Sequence, residues 1–181
     1  YKQLLAWKNE KEHKPLILNG ARQVGKTYIL REFGRNEYKR MAFFSLDRDQ
    51  KALEIFNKGG RATDMLMALS AICHEDITPH DTLVVLDEIQ NCPKALEALK
   101  FFCEETPEID IVVAGSLLGL SIHSGVSYPV GKVEELHLYP MTFLEFLEAM
   151  GKTQLVNLLE NKNWTVINML ETELISSLRQ Y

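Results

Sequence analysis

Lys26 and Thr27 close an eight-residue segment, Gly20-Ala21-Arg22-Gln23-Val24-Gly25-Lys26-Thr27, with a glycine at each end of a short polar loop. The pattern is G-x-x-x-x-G-K-[ST], and its chemistry is that of a polyphosphate cradle. Glycines allow backbone conformations that a Cβ disfavours, and these turn successive N–H groups inward as an anion nest. A helix opening near Gly25 adds its positive N-terminal dipole. Lys26 would reach the β- and γ-phosphates as a point charge, and the Thr27 hydroxyl is a ligand for Mg2+. The whole loop with Tyr28 is the expected nucleotide contact, although the side chains of Arg22 and Gln23, at variable loop positions, are expected to face solvent or a neighbouring subunit.

Two acids stand at a second position of interest. Asp87 and Glu88 follow the apolar run Leu83-Val84-Val85-Leu86. Asp87 can hold magnesium directly or through water, while Glu88 can polarise a water for attack on the γ-phosphate. Ser116 follows a third apolar run, Asp110–Gly115, where a hydroxyl could touch the γ-phosphate or orient that water; a turn-forming serine accounts for it nearly as well. Gln90 and Asn91, just beyond the acids, are candidates to relay that contact. Cys73, His74, His80 and Asp81 have irregular spacing and read as a polar loop, not a metal cluster. Met65, Met67 and Met150 read as core fillers.

The elements that must position these residues alternate. Pro15–Gly20 reads as a buried strand, then Lys26–Gly34 as a helix stopped by its glycine. Arg40–Asp47 is a second strand, followed by helices over 50–60 and 62–72. Continuous apolar runs at 81–88 and 108–116 have the pattern of strands buried on both faces of a parallel sheet. Pro93 opens a helix between them, and 132–140 is a fifth strand. Thr142 and Glu145 form a capping pair for a helix that Gly151 ends. The residues from Lys152 to Tyr181 are helical by pattern, and a short helix precedes the first strand. Alternation of strands and helices predicts an open parallel α/β sheet covered on both faces. Ligands in such sheets bind beyond the carboxyl ends of the strands, at Asn19-Gly20, Asp87-Glu88 and Gly115-Ser116.

Composition bounds the rest. The chain has 181 residues, 46% hydrophobic and 25% charged, enough for one domain with a sizeable core. Its net charge is −5, so a general basic footprint for nucleic acid is missing; such a partner is not supported and would have to be argued from a local basic site. Three cysteines without metal-ligand spacing fit a reducing, cytoplasmic setting. No run approaches the roughly 20 apolar residues that a membrane span needs. The first residue is Tyr1, so a fragment of a longer protein is expected.

The segments GARQVGKT, LVVLDEIQ, VVAGSLL and GKVEELHLYPMTFLEFL together resemble a large group of predicted bacterial and archaeal ATPases of the AAA-like P-loop class, over nearly the whole chain. The resemblance implies a P-loop three-layer sandwich with strand order 5-1-4-3-2 and the sensor strand between the two nucleotide-binding strands. It implies Glu88 as the catalytic glutamate and Ser116 as the sensor. It also implies residues 1–151 as the ATPase core, 152–181 as a helical linker, and a C-terminal domain beyond Tyr181. Lys132 stands where the group more often has arginine, and a lysine lacks the planar fork of a charge-stabilising finger.

The expected function is therefore Mg2+-dependent hydrolysis of ATP to ADP and phosphate by Lys26, Thr27, Asp87, Glu88 and Ser116. The cycle would drive an attached C-terminal domain or a protein partner, with a homo-oligomer as an option. ATP is favoured over GTP because no Asn-Lys-x-Asp segment occurs; the Asn91 segment NCPK lacks the acid. The alternative is a nucleotide-gated switch with negligible hydrolysis. A helicase reading of DEIQ requires a second core and a basic strand channel, which neither length nor charge supplies.

Overall fold

The computed structural model describes residues 1–116 and 128–181; Leu117 and Leu118 of the VVAGSLL segment fall outside them. The chain divides into two compact units, Tyr1–Tyr139 and Pro140–Tyr181.

In the first unit, helix α1 (Lys2–Asn9) precedes β1 (Leu16–Gly20), α2 (Lys26–Glu37), β2 (Arg40–Ser45), α3 (Gln50–Lys58) and α4 (Ala62–Cys73). Then come β3 (Thr82–Asp87), a 3-10 turn (Ile89–Asn91), α5 (Pro93–Glu105), β4 (Asp110–Gly115) and β5 (Glu134–Leu138). The five strands form one sheet in the order β2-β3-β4-β1-β5, and every pairing is parallel. Read from the other edge this is 5-1-4-3-2, so the expected α/β fold with β4 between β1 and β3 is present.

The unbroken apolar runs have a simple cause. Successive strand residues point to opposite faces, and both faces are covered. Ile17, Phe44, Val84, Leu86, Ile111 and Val113 pack with Phe56, Leu69 and Phe102 of α3, α4 and α5. Their strand neighbours Leu16, Leu18, Leu83, Val85, Val112 and Ala114 pack with Trp7 of α1 and with Leu30 and Phe33 of α2. The result is three layers, with all β3 and β4 residues buried.

Two local expectations change. Helix α2 runs through Gly34 to Glu37, so Gly34 does not stop it. A Cβ at Gly34 would lie 2.4 Å from Met41 Sδ; this glycine lets β2 approach the helix closely. Of the three methionines expected inside, Met65 is buried, whereas Met67 and Met150 are 72% and 52% exposed. Met67 follows Met65 by two positions, which on a helix points it away from the buried face.

The second unit holds α6 (Phe143–Ala149), α7 (Thr153–Glu160), α8 (Trp164–Met169) and α9 (Glu171–Gln180). Thr142 and Glu145 form the capping box read from the sequence. Lys152 Nζ reaches Glu173 Oε1 at 2.6 Å and Ser177 Oγ at 2.9 Å, tying the start of α7 to α9. Phe143 and Phe146 each lie 5.6 Å from the Tyr181 ring. Among the described residues no helix is long and apolar enough to cross a membrane.

Candidate functional site

The site grows from the carboxyl end of β1. Its two glycines are there for different reasons. At Gly20 an added Cβ would lie 2.4 Å from the backbone oxygen of Leu138 on β5, so crowding between paired strands excludes a side chain. At Gly25 there is open space, but φ is +95°, a region that L side chains rarely adopt. Only the second glycine has the conformational role expected of both. Gln23, at φ 63°, supplies a further left-handed turn in the loop. Ala21, Arg22, Gln23, Gly25 and Tyr28 are exposed, and Val24 is half-buried.

Gly25 is also the N-cap of α2, and no side chain caps the helix. The first-turn N–H groups, which have no partner within a helix, therefore face the loop with the positive end of the dipole. Lys26 folds back over this turn: its Nζ donates to Gly20 O at 3.0 Å and Ala21 O at 2.6 Å. The side chain is almost fully buried, and desolvation lowers its pKa against the opposing effects of Glu88 and Asp87.

Thr27 Oγ1 donates to Asp87 Oδ2 at 2.7 Å. Asp87 Oδ1 accepts from the backbone N–H of Glu88 at 3.1 Å. Burial raises the Asp87 pKa, and the neighbouring Glu88 adds to the rise, while the bonds from Thr27 and Glu88 N and the charge of Lys26 oppose it. The carboxylate is thus held where ionisation is costly and a second cation beside Lys26 would lower that cost.

Glu88 leaves β3 in the left-handed conformation, φ 57° and ψ 45°, uncommon for a residue with a Cβ. Its Oε2 accepts from Gln90 Nε2. Gln90 Oε1 in turn accepts from the backbone N–H of Ser116 at 3.3 Å. Gln90 and Ser116 are both buried. The three strand ends singled out in the sequence therefore come together: Lys26 and Thr27 after β1, Asp87 ending β3 with Glu88 after it, and Ser116 after β4.

Lys132 is not brought to this site. Leu16 pairs with Glu134 and Gly20 with Leu138, so Lys132, two residues before Glu134, lies at the opposite end of the sheet from Gly20. There it pairs with Glu104 at 2.9 Å. Within one chain it cannot act as a finger toward the loop. His74 and His80 occupy left-handed turn positions, and among the described residues no group of three or more His, Cys, Asp or Glu could hold a metal ion.

From the sequence Asn19 is only part of a strand end, with no role of its own. It is buried on β1 beside the first glycine, its Nδ2 donates to Glu135 Oε2 at 2.9 Å, and its Oδ1 has no hydrogen-bond partner. A lone polar residue ending an otherwise apolar strand was the available signal.

A family model described as an AAA domain matches residues 12–147. The chain belongs to the AAA domain family. No curated protein matches it significantly. Among solved structures this AAA domain is similar to one titled Structure of Drosophila ORC bound to DNA, with TM-score 0.57, 15% identity, and 94% of this chain and 47% of the other covered. A second is the crystal structure of Cdc6p from Pyrobaculum aerophilum, with TM-score 0.51, 17% identity, and 81% and 45% covered. At these identities the likeness shows the fold, and the chain spans less than half the length of either structure. Membership of the AAA family points to ATP binding and hydrolysis as the class of activity.

Proposed function

We propose that this AAA domain binds Mg-ATP and hydrolyses it to ADP and phosphate, and that the cycle moves an attached domain or a protein partner. The observation that carries the reading is the contact between Thr27 and Asp87. It joins a hydroxyl and a carboxylate, both hard oxygen donors of the kind magnesium takes, directly beside the buried ammonium of Lys26. The donor set fits a metal-nucleotide: N–H groups and Lys26 suit the phosphates, and Thr27 with Asp87 suits the ion. When bound, magnesium neutralises charge on the phosphate oxygens.

The chain's own groups then divide the work. Lys26 is desolvated and already bonded only to carbonyls, so it exchanges two neutral acceptors for an anion. Crowding at Gly20 and the left-handed turn at Gly25 fix the loop backbone before any ligand arrives. Glu88 holds the carboxylate that takes a proton from water, and Ser116, the residue after β4, is linked to it through Gln90. Residues 1–151 serve as the core and 152–181 as the connection to whatever is moved.

The test is single-turnover hydrolysis of Mg-ATP by this chain and by Glu88→Gln, with nucleotide binding measured for both. The expected result is turnover by the wild type and binding without turnover by Glu88→Gln. If the wild type binds ATP and never turns it over, the hydrolase reading fails and a nucleotide-gated switch takes its place.

A further inference from the structure

Gln90 is joined by its two amide ends to two different strand ends. The assignment of those ends follows from chemistry. The Ser116 N–H can only donate, so it meets Oε1; an ionised carboxylate can only accept, so Glu88 meets Nε2. Both contacts are present together, and the glutamine lies buried between them. The turn that carries it is short and tightly bonded, with Asn91 N donating to Glu88 O at 3.0 Å and Cys92 N to Ile89 O at 3.0 Å. Cys92 and Ile89 anchor that turn in the core. A buried amide with both ends engaged has little freedom to rotate.

We propose that Gln90 is the positioning residue that sets the Glu88 carboxylate relative to the end of β4, so that Glu88 and Ser116 shift together. This rests on the hydrolase reading for its consequence, but the coupling itself exists without nucleotide. Glu88 stands on a left-handed residue between β3 and the turn, where its side chain has no strand to hold it. Gln90 supplies the missing constraint. A displacement of Ser116 pulls on Oε1, and the rigid amide carries that displacement to the group bonded at Nε2.

The two ends can be separated by substitution. Gln90→Glu keeps an acceptor for Ser116 but cannot donate to Glu88 and places two carboxylates in contact. Gln90→Leu removes both ends at nearly constant size. Thermal melts establish that each variant is folded. In the nucleotide-free protein the Ser116 amide is followed by NMR with 15N-serine, in the wild type and in the Glu88→Gln, Gln90→Leu and double variants. Replacing Glu88 is expected to shift the Ser116 resonance when Gln90 is present and to leave it unmoved in the Gln90→Leu background. In hydrolysis assays Gln90→Leu and Gln90→Glu are each expected to lower kcat about tenfold or more, part of the roughly 100- to 10,000-fold that a positioned general base contributes, with KM changed less than about twofold.

A Ser116 resonance that responds to Glu88→Gln equally with and without Gln90 overturns the proposal. So does unchanged kcat in a folded Gln90→Leu protein. If the wild type proves not to hydrolyse ATP, the hydrolase reading falls, and the nucleotide-free experiment alone decides the coupling.

Discussion

Thr27 and Asp87 lie 60 residues apart in the chain, and the strands that lead to them, β1 and β3, are separated in the sheet by β4, yet their oxygens are 2.7 Å apart. Thr27 is the second residue of α2 and Asp87 is the last residue of β3. The crossover of α2 above the sheet brings the two together. A threonine there gives a hydroxyl that can donate to the carboxylate in one state and ligate a cation in another.

This placement predicts a trade between stability and function at Asp87. Its folded pKa is raised by burial above the unfolded value of about 3.9. Between those two values the folded state binds more protons, so stability falls as pH rises through the window, and the ionised group is a net cost above it. Asp87→Asn is therefore expected to melt about 2–4 °C higher than wild type at pH 7, about 1 kcal/mol for a protein of this size, while losing Mg2+-dependent nucleotide binding. Melting curves from about pH 3 to 8 check the sign; an advantage as large at about pH 3 as at pH 7 contradicts it.

Lys26→Ala removes the one buried ammonium from the loop. Charge-assisted bonds to phosphate contribute about 2–3 kcal/mol, or roughly 30- to 150-fold in affinity. Titration with a fluorescent ATP analogue should show a loss of that order, with the fold intact by circular dichroism. Equal affinity would remove the loop from the site.

The glycines separate by mechanism. Gly20→Ala drives a Cβ against the Leu138 carbonyl, and backbone cannot move aside, so a cost of about 1–3 kcal/mol is expected. Gly34→Ala meets the flexible end of Met41 and gains about 1 kcal/mol of helix propensity, so it should fall near neutral. Urea unfolding of the two variants gives the ranking directly, and a reversed order would show that the β1–β5 contact is looser than it stands here.

A second pH effect lies at the amino end of the central strand β4. His13 Nε2 is 2.9 Å from Asp110 Oδ1, close enough for charge attraction although Oδ1 takes no well-aligned hydrogen bond. Asp110 raises the imidazole pKa, outweighing the burial that lowers it. A raised histidine contributes stability that is complete below its unfolded value of about 6.5 and is lost as pH rises through the folded value. The urea midpoint of the wild type should drop between pH 6 and pH 9 by more than that of His13→Gln. Parallel curves would assign the pH dependence elsewhere.

The sequence by itself determined the alternation of elements, the parallel sheet and the loop at the carboxyl end of its first strand. Unbroken apolar runs such as Leu83–Leu86, short and ending in polar residues, read as strands with both faces covered, and a glycine-lysine-threonine turn between strand and helix has one well-known chemistry. These signals are local, carried by neighbours in the chain. Pairing across the chain was decided by the tertiary structure. Spacing gives Gly20 and Gly25 the same standing, but the pairing of β1 with β5 shows that one is excluded by crowding and the other bent by its φ. Gly34 reads as a helix stop until Met41 is seen against it. Lys132 reads as a candidate finger until the register of β5 puts it at the opposite end of the strands from the loop. The bridge from Glu88 through Gln90 to Ser116 spans two strand ends. The sequence offered Gln90 as a candidate relay, but which groups it joins, like the contacts of Gly20, Gly34 and Lys132, depends on how separate elements pack, and periodicity within one element does not carry that information.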